Sequence, residues 1–84
     1  MTTELCAYTC DACDIARRTG VTRIELCAAP LEGGTTPSAG LIRYARRLPG
    51  LRLSVMIRPR GGDFLYTDAE TALMAEEIRF AREC

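Results

Sequence analysis

Two short segments of the chain carry the same pattern of a carboxylate followed, two residues later, by a thiol: Glu4-Leu5-Cys6 and Glu25-Leu26-Cys27. Both segments are predicted strands, in which alternate residues share a face. We expect the glutamates and cysteines to face the interior of a barrel, because the intervening leucines suit the side that helices cover.

On that interior face, Cys6 and Cys27 at matched positions of adjacent strands could bring their sulfurs together, since parallel strands lie about 4.8 Å apart. Two thiolates suit a soft ion such as Cu(I), and Met56, which has the same parity on the third predicted strand, could add a thioether. The alternative is that these cysteines pack as small apolar residues.

The two glutamates raise a separate possibility, because an ionised carboxylate inside a barrel must be paired or protonated. Arg58 is the expected partner of Glu4 and Glu25 if it points inward. Paired carboxylates near an arginine also suit general acid and base catalysis on a small anionic substrate. A purely structural network of ion pairs is the alternative.

Two loops could bind an anion. Arg58, Arg60 and Asp63 lie in a loop with two glycines, which predicts either a substrate clamp or a salt-bridged turn. Gly33 and Gly34 precede a predicted helix, where backbone N–H groups could hold a phosphate or carboxylate. The alternative for the second loop, and the one its sequence favours, is an ordinary turn with a helix cap.

Cys10 and Cys13 form a single CxxC pattern at the start of a predicted helix. The spacing is that of a thioredoxin-like redox motif, but Cys13 falls on the inner helix face and packing accounts for it. No second CxxC is present to complete a zinc site. Cys84 is terminal and receives no role.

Composition excludes several classes. The 84 residues carry 11 basic and 11 acidic side chains, so no net field attracts nucleic acid or an anionic membrane. No apolar run is long enough to span a bilayer, and residues 1–4 lack the features of a secretory signal. An odd number of cysteines, five, favours free thiols in the cytoplasm. The absence of histidine removes the commonest metal ligand and general base.

The elements that must position these residues alternate between strand and helix. Strands are predicted at 4–8, 21–28 and 51–57. Helices are predicted at 10–19 with Thr9 as N-cap, after Thr36 with Pro37 in the first turn, and from Thr67 or Asp68 to the last residue with Glu70 completing a capping box.

This order predicts an α/β fold with a parallel sheet. Three strands leave two bare edges and one uncovered face, whereas parallel sheets are normally covered on both faces. We therefore expect residues 1–84 to be a partial (βα)3 segment of a single TIM (β/α)8 barrel of about 250 residues. A non-functional truncated fragment and a homo-oligomer formed through a bare sheet edge are kept as alternatives.

Three motifs together resemble the N-terminal portion of the CutC copper homeostasis family: Glu4-Leu5-Cys6, the stretch from Arg23 to Ser38, and the stretch from Met56 to Tyr66. The resemblance implies a cytoplasmic TIM-barrel protein that binds Cu(I), with Cys6 and Cys27 as the copper cysteines. It assigns no reaction. A TIM-barrel enzyme acting on a small anionic metabolite remains the alternative.

Overall fold

The computed structural model describes residues 4–84, so residues 1–3, part of the segment in which no secretory signal was found, lie outside it. Three strands alternate with three helices: β1 (Glu4–Ala7), α1 (Cys10–Arg18), β2 (Arg23–Leu26), α2 (Ala39–Arg46), β3 (Arg52–Val55) and α3 (Asp68–Glu83). A short 3-10 turn, Pro30–Glu32, lies in the loop between β2 and α2. The strands form one parallel sheet in the order β1-β2-β3, which confirms the predicted α/β arrangement.

Helix boundaries follow the capping residues. The Thr9 hydroxyl accepts from Ala12 N and begins α1, as predicted. Thr67 begins α3 with a complete capping box, in which Glu70 bonds back to the Thr67 amide. Two orphan N–H groups at that helix end are thereby satisfied.

The predicted start of α2 is wrong. Ser38, not Thr36, is the N-cap, and its hydroxyl accepts from Leu41 N at 3.2 Å. Pro37 therefore precedes the helix instead of occupying its first turn. The Thr36 hydroxyl is engaged elsewhere, as an acceptor for Arg58 N at 2.8 Å and a donor to Glu77 at 3.2 Å.

The core lies between the sheet and the helices α1 and α2. Its fully buried members come from all these elements: Ala7, Cys13, Ala16, Ile24, Leu26, Ile42 and Ala45. Removing a side chain the size of Ile24 or Leu26 from water contributes about 1.5–3 kcal/mol. Helix α3 has no buried residue, and Leu73 and Ile78 on it are exposed.

Candidate functional site

One face of the sheet carries the side chains that the sequence singled out as candidates for chemistry. Ile24 and Leu26 are buried toward the helices, so Glu25 and Cys27 lie on the opposite face by strand alternation. The pairing of Ala7 with Leu26 and Cys6 with Glu25 puts Cys6 on that face too. We call this the open face of the sheet.

Cys6 and Cys27 share the open face but do not occupy matched positions. Glu25 stands opposite Cys6, and Cys27 lies two residues further along β2. Strand spacing and rise put their Cα atoms about 8 Å apart on the diagonal. The register between β1 and β2 therefore offsets the two thiols by two residues, which the sequence did not predict. Both thiols still project from the same face.

Cys27 is buried without belonging to the core. Its exposed fraction is 1%, yet it is absent from the cluster between sheet and helices. The loop after β2 folds back over it, held by two hydrogen bonds of 2.9 Å between Ala28 and Thr35. Cys27 is therefore buried by a loop on the open face. A cysteine with a purely structural role would be expected in the core between the sheet and the helices.

Gly34 is the part of this loop that touches Cys27. Its φ of +97° is a conformation that side-chain-bearing residues rarely adopt. A Cβ placed there would lie 3.7 Å from Cys27 Sγ and 3.5 Å from Met56 Cε. The glycine therefore brings the loop backbone against both sulfur-containing side chains.

The environment of Cys27 keeps its thiol protonated at neutral pH. Burial raises the pKa of Cys27 to about 11, and the Glu25 carboxylate and Cys6 add to the effect. The thiol donates to Glu25 Oε1 at 3.7 Å. Burial also raises the pKa of Tyr8, with smaller contributions from Cys27, Cys6 and Glu25.

The predicted pairing of Arg58 with Glu4 and Glu25 is wrong. Glu4 lies 3.9 Å from Arg23, and both side chains are largely exposed. The Arg58 guanidinium turns to the loops instead, where it donates to the carbonyls of Glu32, Gly34 and Gly62. Backbone carbonyls reach it because the loops after β2 and β3 meet at the carboxyl end of the sheet.

Arg58 is therefore a clamp between these two loops. The Arg58 amide donates to the Thr36 hydroxyl, and the Thr36 amide donates to the Arg58 carbonyl at 2.9 Å. The Phe64 ring covers the guanidinium, with its centroid 4.9 Å from Cζ. One Arg58 donor, the buried Nε, has no hydrogen-bond partner among residues 4–84.

Arg60 and Asp63 organise the loop that precedes α3. Arg60 donates to both carboxylate oxygens of Glu70, to the Asp63 carboxylate, and to the carbonyls of Gly61, Asp63 and Leu65. The pKa of Glu70 is lowered by its backbone bond to Thr67 and by Arg60. These contacts are those of a salt-bridged turn. Anion binding by Arg58, Arg60 and Asp63 stays a prediction.

The remaining cysteines lie apart from the open face. Cys10 is exposed at the start of α1 and Cys13 is buried in the core, while Cys84 ends the chain. All five cysteines are free thiols. Burial raises the pKa of Cys13, which weakens it as a nucleophile.

The described part of the chain holds neither a ready-made cluster of metal ligands nor a membrane-spanning helix. Across residues 4–84, no three histidine, cysteine or acidic side chains are already grouped as metal ligands. Over the same range, none of the helices has the length and hydrophobicity needed to cross a membrane.

Sequence reasoning missed two residues of this region. The sequence predicts a turn at Gly34, either an anion-binding one or an ordinary one before a helix cap, and its glycine pair is the one available signal for a close approach to Cys27. Thr36 was assigned as a helix cap because a threonine before a proline and a serine gives no local sign of its tertiary hydrogen bonds.

Known proteins resemble this chain in both sequence and structure. The chain is 52% identical over 80 residues to proteins named family protein CutC from Salmonella paratyphi B and Salmonella newport, covering 95% of this chain and 32% of each relative. It thus spans about a third of the length of the curated relatives it matches.

A solved structure from Streptococcus agalactiae, described as a copper homeostasis protein CutC, superposes with a TM-score of 0.88 at 39% identity. The match covers 99% of this chain and 41% of that one, and it identifies the three βα units as part of a TIM-barrel fold. The profile of the CutC family matches residues 1–84 in full, and the chain therefore belongs to the CutC family.

Proposed function

We propose that this chain is the (βα)3 portion of a single TIM-barrel domain of a copper homeostasis protein that binds Cu(I) in the cytoplasm through Cys6 and Cys27. The observation that carries the proposal is the position of Cys27, which is buried beneath a loop on the open face, outside the core. The solved structure from Streptococcus agalactiae is described as a copper homeostasis protein, which agrees with the proposal.

The donor set suits this ion. Cys6 and Cys27 are free thiols on one face, and soft sulfur ligands select Cu(I) over harder cations. The bound ion needs both thiols as thiolates, so uptake would release their protons to solvent. The raised pKa of Cys27 means that Cu(I) must displace a firmly held proton there.

The cytoplasmic location rests on cysteine chemistry. Five free thiols are typical of proteins in a reducing compartment, where disulfides do not persist. In an oxidising compartment the proposed copper ligands would be lost to oxidation or to disulfide formation.

Anaerobic titration with Cu(I), in competition with a chromophoric chelator, tests the proposal. We expect one ion per chain, with binding lost in Cys6→Ser and in Cys27→Ser. Cys10→Ser serves as the control for an exposed thiol, and Cys13→Ser as the control for a buried one. Unchanged Cu(I) affinity in both Cys6→Ser and Cys27→Ser would overturn the proposal.

A second candidate function, an enzyme acting on a small anionic metabolite, is favoured by one observation. The buried Nε of Arg58 has no acceptor among residues 4–84, and a ligand oxygen would satisfy it. In this function Glu4 or Glu25 would act as acid or base. Thermal-shift measurements with inorganic phosphate and small carboxylates test it, with Arg58→Ala expected to abolish any stabilisation. The candidate fails if no anion raises the melting temperature.

A further inference from the structure

Met56 lies directly beside Cys27 on the open face. Leu26 pairs with Val55, so the next residues along the two strands, Cys27 and Met56, are lateral neighbours. The hydrogen bond from Met56 N to Leu26 O, at 3.0 Å, continues the pairing past the end of β3. Lateral neighbours in a sheet lie about 4.8 Å apart, closer than the diagonal between Cys6 and Cys27.

Gly34 brings the ends of these two side chains to one place. A single point, the position of a Cβ on Gly34, is 3.5 Å from the Met56 methyl and 3.7 Å from Cys27 Sγ. No side chain stands at this point, because residue 34 is a glycine. The Met56 methyl and the Cys27 sulfur therefore lie against the same part of the loop backbone.

Packing in the core does not account for Met56. It belongs neither to the buried core nor to the partly buried residues packed against it, although its neighbour Val55 does. It is half-buried on the face that holds Cys6, Glu25 and Cys27. A flexible, polarizable side chain therefore lies beside the Cys27 thiol on this face.

Resting on the copper function proposed above, we infer that the Met56 thioether is a third ligand to Cu(I), and that it makes the site selective for monovalent soft ions over Zn(II). A thioether is neutral and soft, so it adds a copper ligand without adding negative charge next to Glu25. Zinc prefers thiolate, imidazole or carboxylate ligands in a tetrahedral set, which this face does not complete with Met56. Binding involves no electron transfer: Cu(I) enters as Cu(I), and the two thiol protons leave to solvent.

The test compares Met56→Leu with Met74→Leu, a matched control for a half-buried methionine on α3. Leucine conserves volume, so both variants should keep the fold, which far-ultraviolet circular dichroism verifies. In competition titrations we expect Met56→Leu to weaken Cu(I) binding at least about tenfold, as loss of supporting interactions in metal sites does, and to leave Zn(II) binding unchanged. Met74→Leu should leave both unchanged.

X-ray absorption of the selenomethionine-labelled protein gives a readout that does not depend on affinity. Copper bound to the labelled chain should show a copper–selenium distance, which persists in Met74→Leu and disappears in Met56→Leu. No copper–selenium signal in the labelled wild-type chain, with binding still lost in Cys27→Ser, would overturn the role of Met56 and leave the cysteine site standing. Failure of the wild-type chain to bind Cu(I) would overturn both proposals.

Discussion

Replacing Gly34 with alanine measures how closely the loop approaches the open face. The φ of +97° makes any side chain strained there, at a cost of about 1–2 kcal/mol. The new methyl would meet Met56 and Cys27 at 3.5–3.7 Å, which is ordinary van der Waals contact, so no clash adds to the strain. Burying the methyl recovers up to about 0.8 kcal/mol.

Gly50→Ala is the matched control. Gly50 has a φ of +78° and nothing within 4 Å of a Cβ, so this variant carries the same backbone strain with no burial. We expect urea unfolding to give Gly34→Ala a loss equal to or slightly smaller than that of Gly50→Ala. With a denaturant slope near 1 kcal/mol/M, each midpoint should fall by about 1–2 M. The reasoning is refuted if Gly34→Ala costs more than about 1 kcal/mol beyond the control, since overpacking of a closed site begins at that cost.

Three further predictions concern the helices. Thr67→Ala should lower the free energy of unfolding by about 1 kcal/mol, because α3 has no buried residue and depends on its cap, whereas Thr71→Ala within the same helix should have little effect by urea unfolding. The hydrogen bond to Asp14 raises the pKa of Tyr44 from 10.0 to about 12. The contribution of this hydrogen bond to the free energy of unfolding is therefore complete below pH 10 and is lost as the pH rises through 12. Unfolding midpoints of the wild-type chain and Tyr44→Phe should therefore converge over that interval, and a constant difference between them would contradict the assigned cause. Amides of α3 should exchange hydrogen faster than those of α1, whose Cys13 and Ala16 are fully buried, and equal protection would contradict the weak packing of α3.

Local signals predicted most of the fold. Thr9 and Thr67 cap their helices as expected, because the hydroxyl that accepts the helix amide is only three residues away in sequence. The start of α2 was misplaced because two candidate caps, Thr36 and Ser38, flank Pro37. The choice between them depends on Arg58, which lies 22 residues further along the chain from Thr36.

The candidate site was predicted in part. Strand alternation put Cys6, Cys27 and Met56 on one face, since side-chain direction in a strand repeats every two residues. It could not supply the register between strands. A step of two residues preserves the face, so the diagonal offset of Cys6 from Cys27 leaves no trace in the hydrophobic pattern.

The arginines show the opposite limit. An arginine side chain indicates that its partners are oxygen atoms, but it does not indicate which ones. Arg60 donates to the carboxylates of Glu70 and Asp63. Arg58 donates to three backbone carbonyls and not to Glu4 or Glu25. A guanidinium has five donors on a long side chain, so its choice among acceptors depends on how loops meet in space.

By itself the sequence determined the alternation of strands and helices, the caps of α1 and α3, and which residues face away from the helices. Each of these depends on hydrogen bonds or side-chain periodicity within a few residues. Only the tertiary structure decided that Gly34 covers Cys27 beside Met56 and that Arg58 joins two loops. The contact of Gly34 with Met56 and the bonds of Arg58 to the loop after β2 join residues more than twenty positions apart, so the meeting of loops at the end of the sheet, and not local pattern, fixes these neighbours.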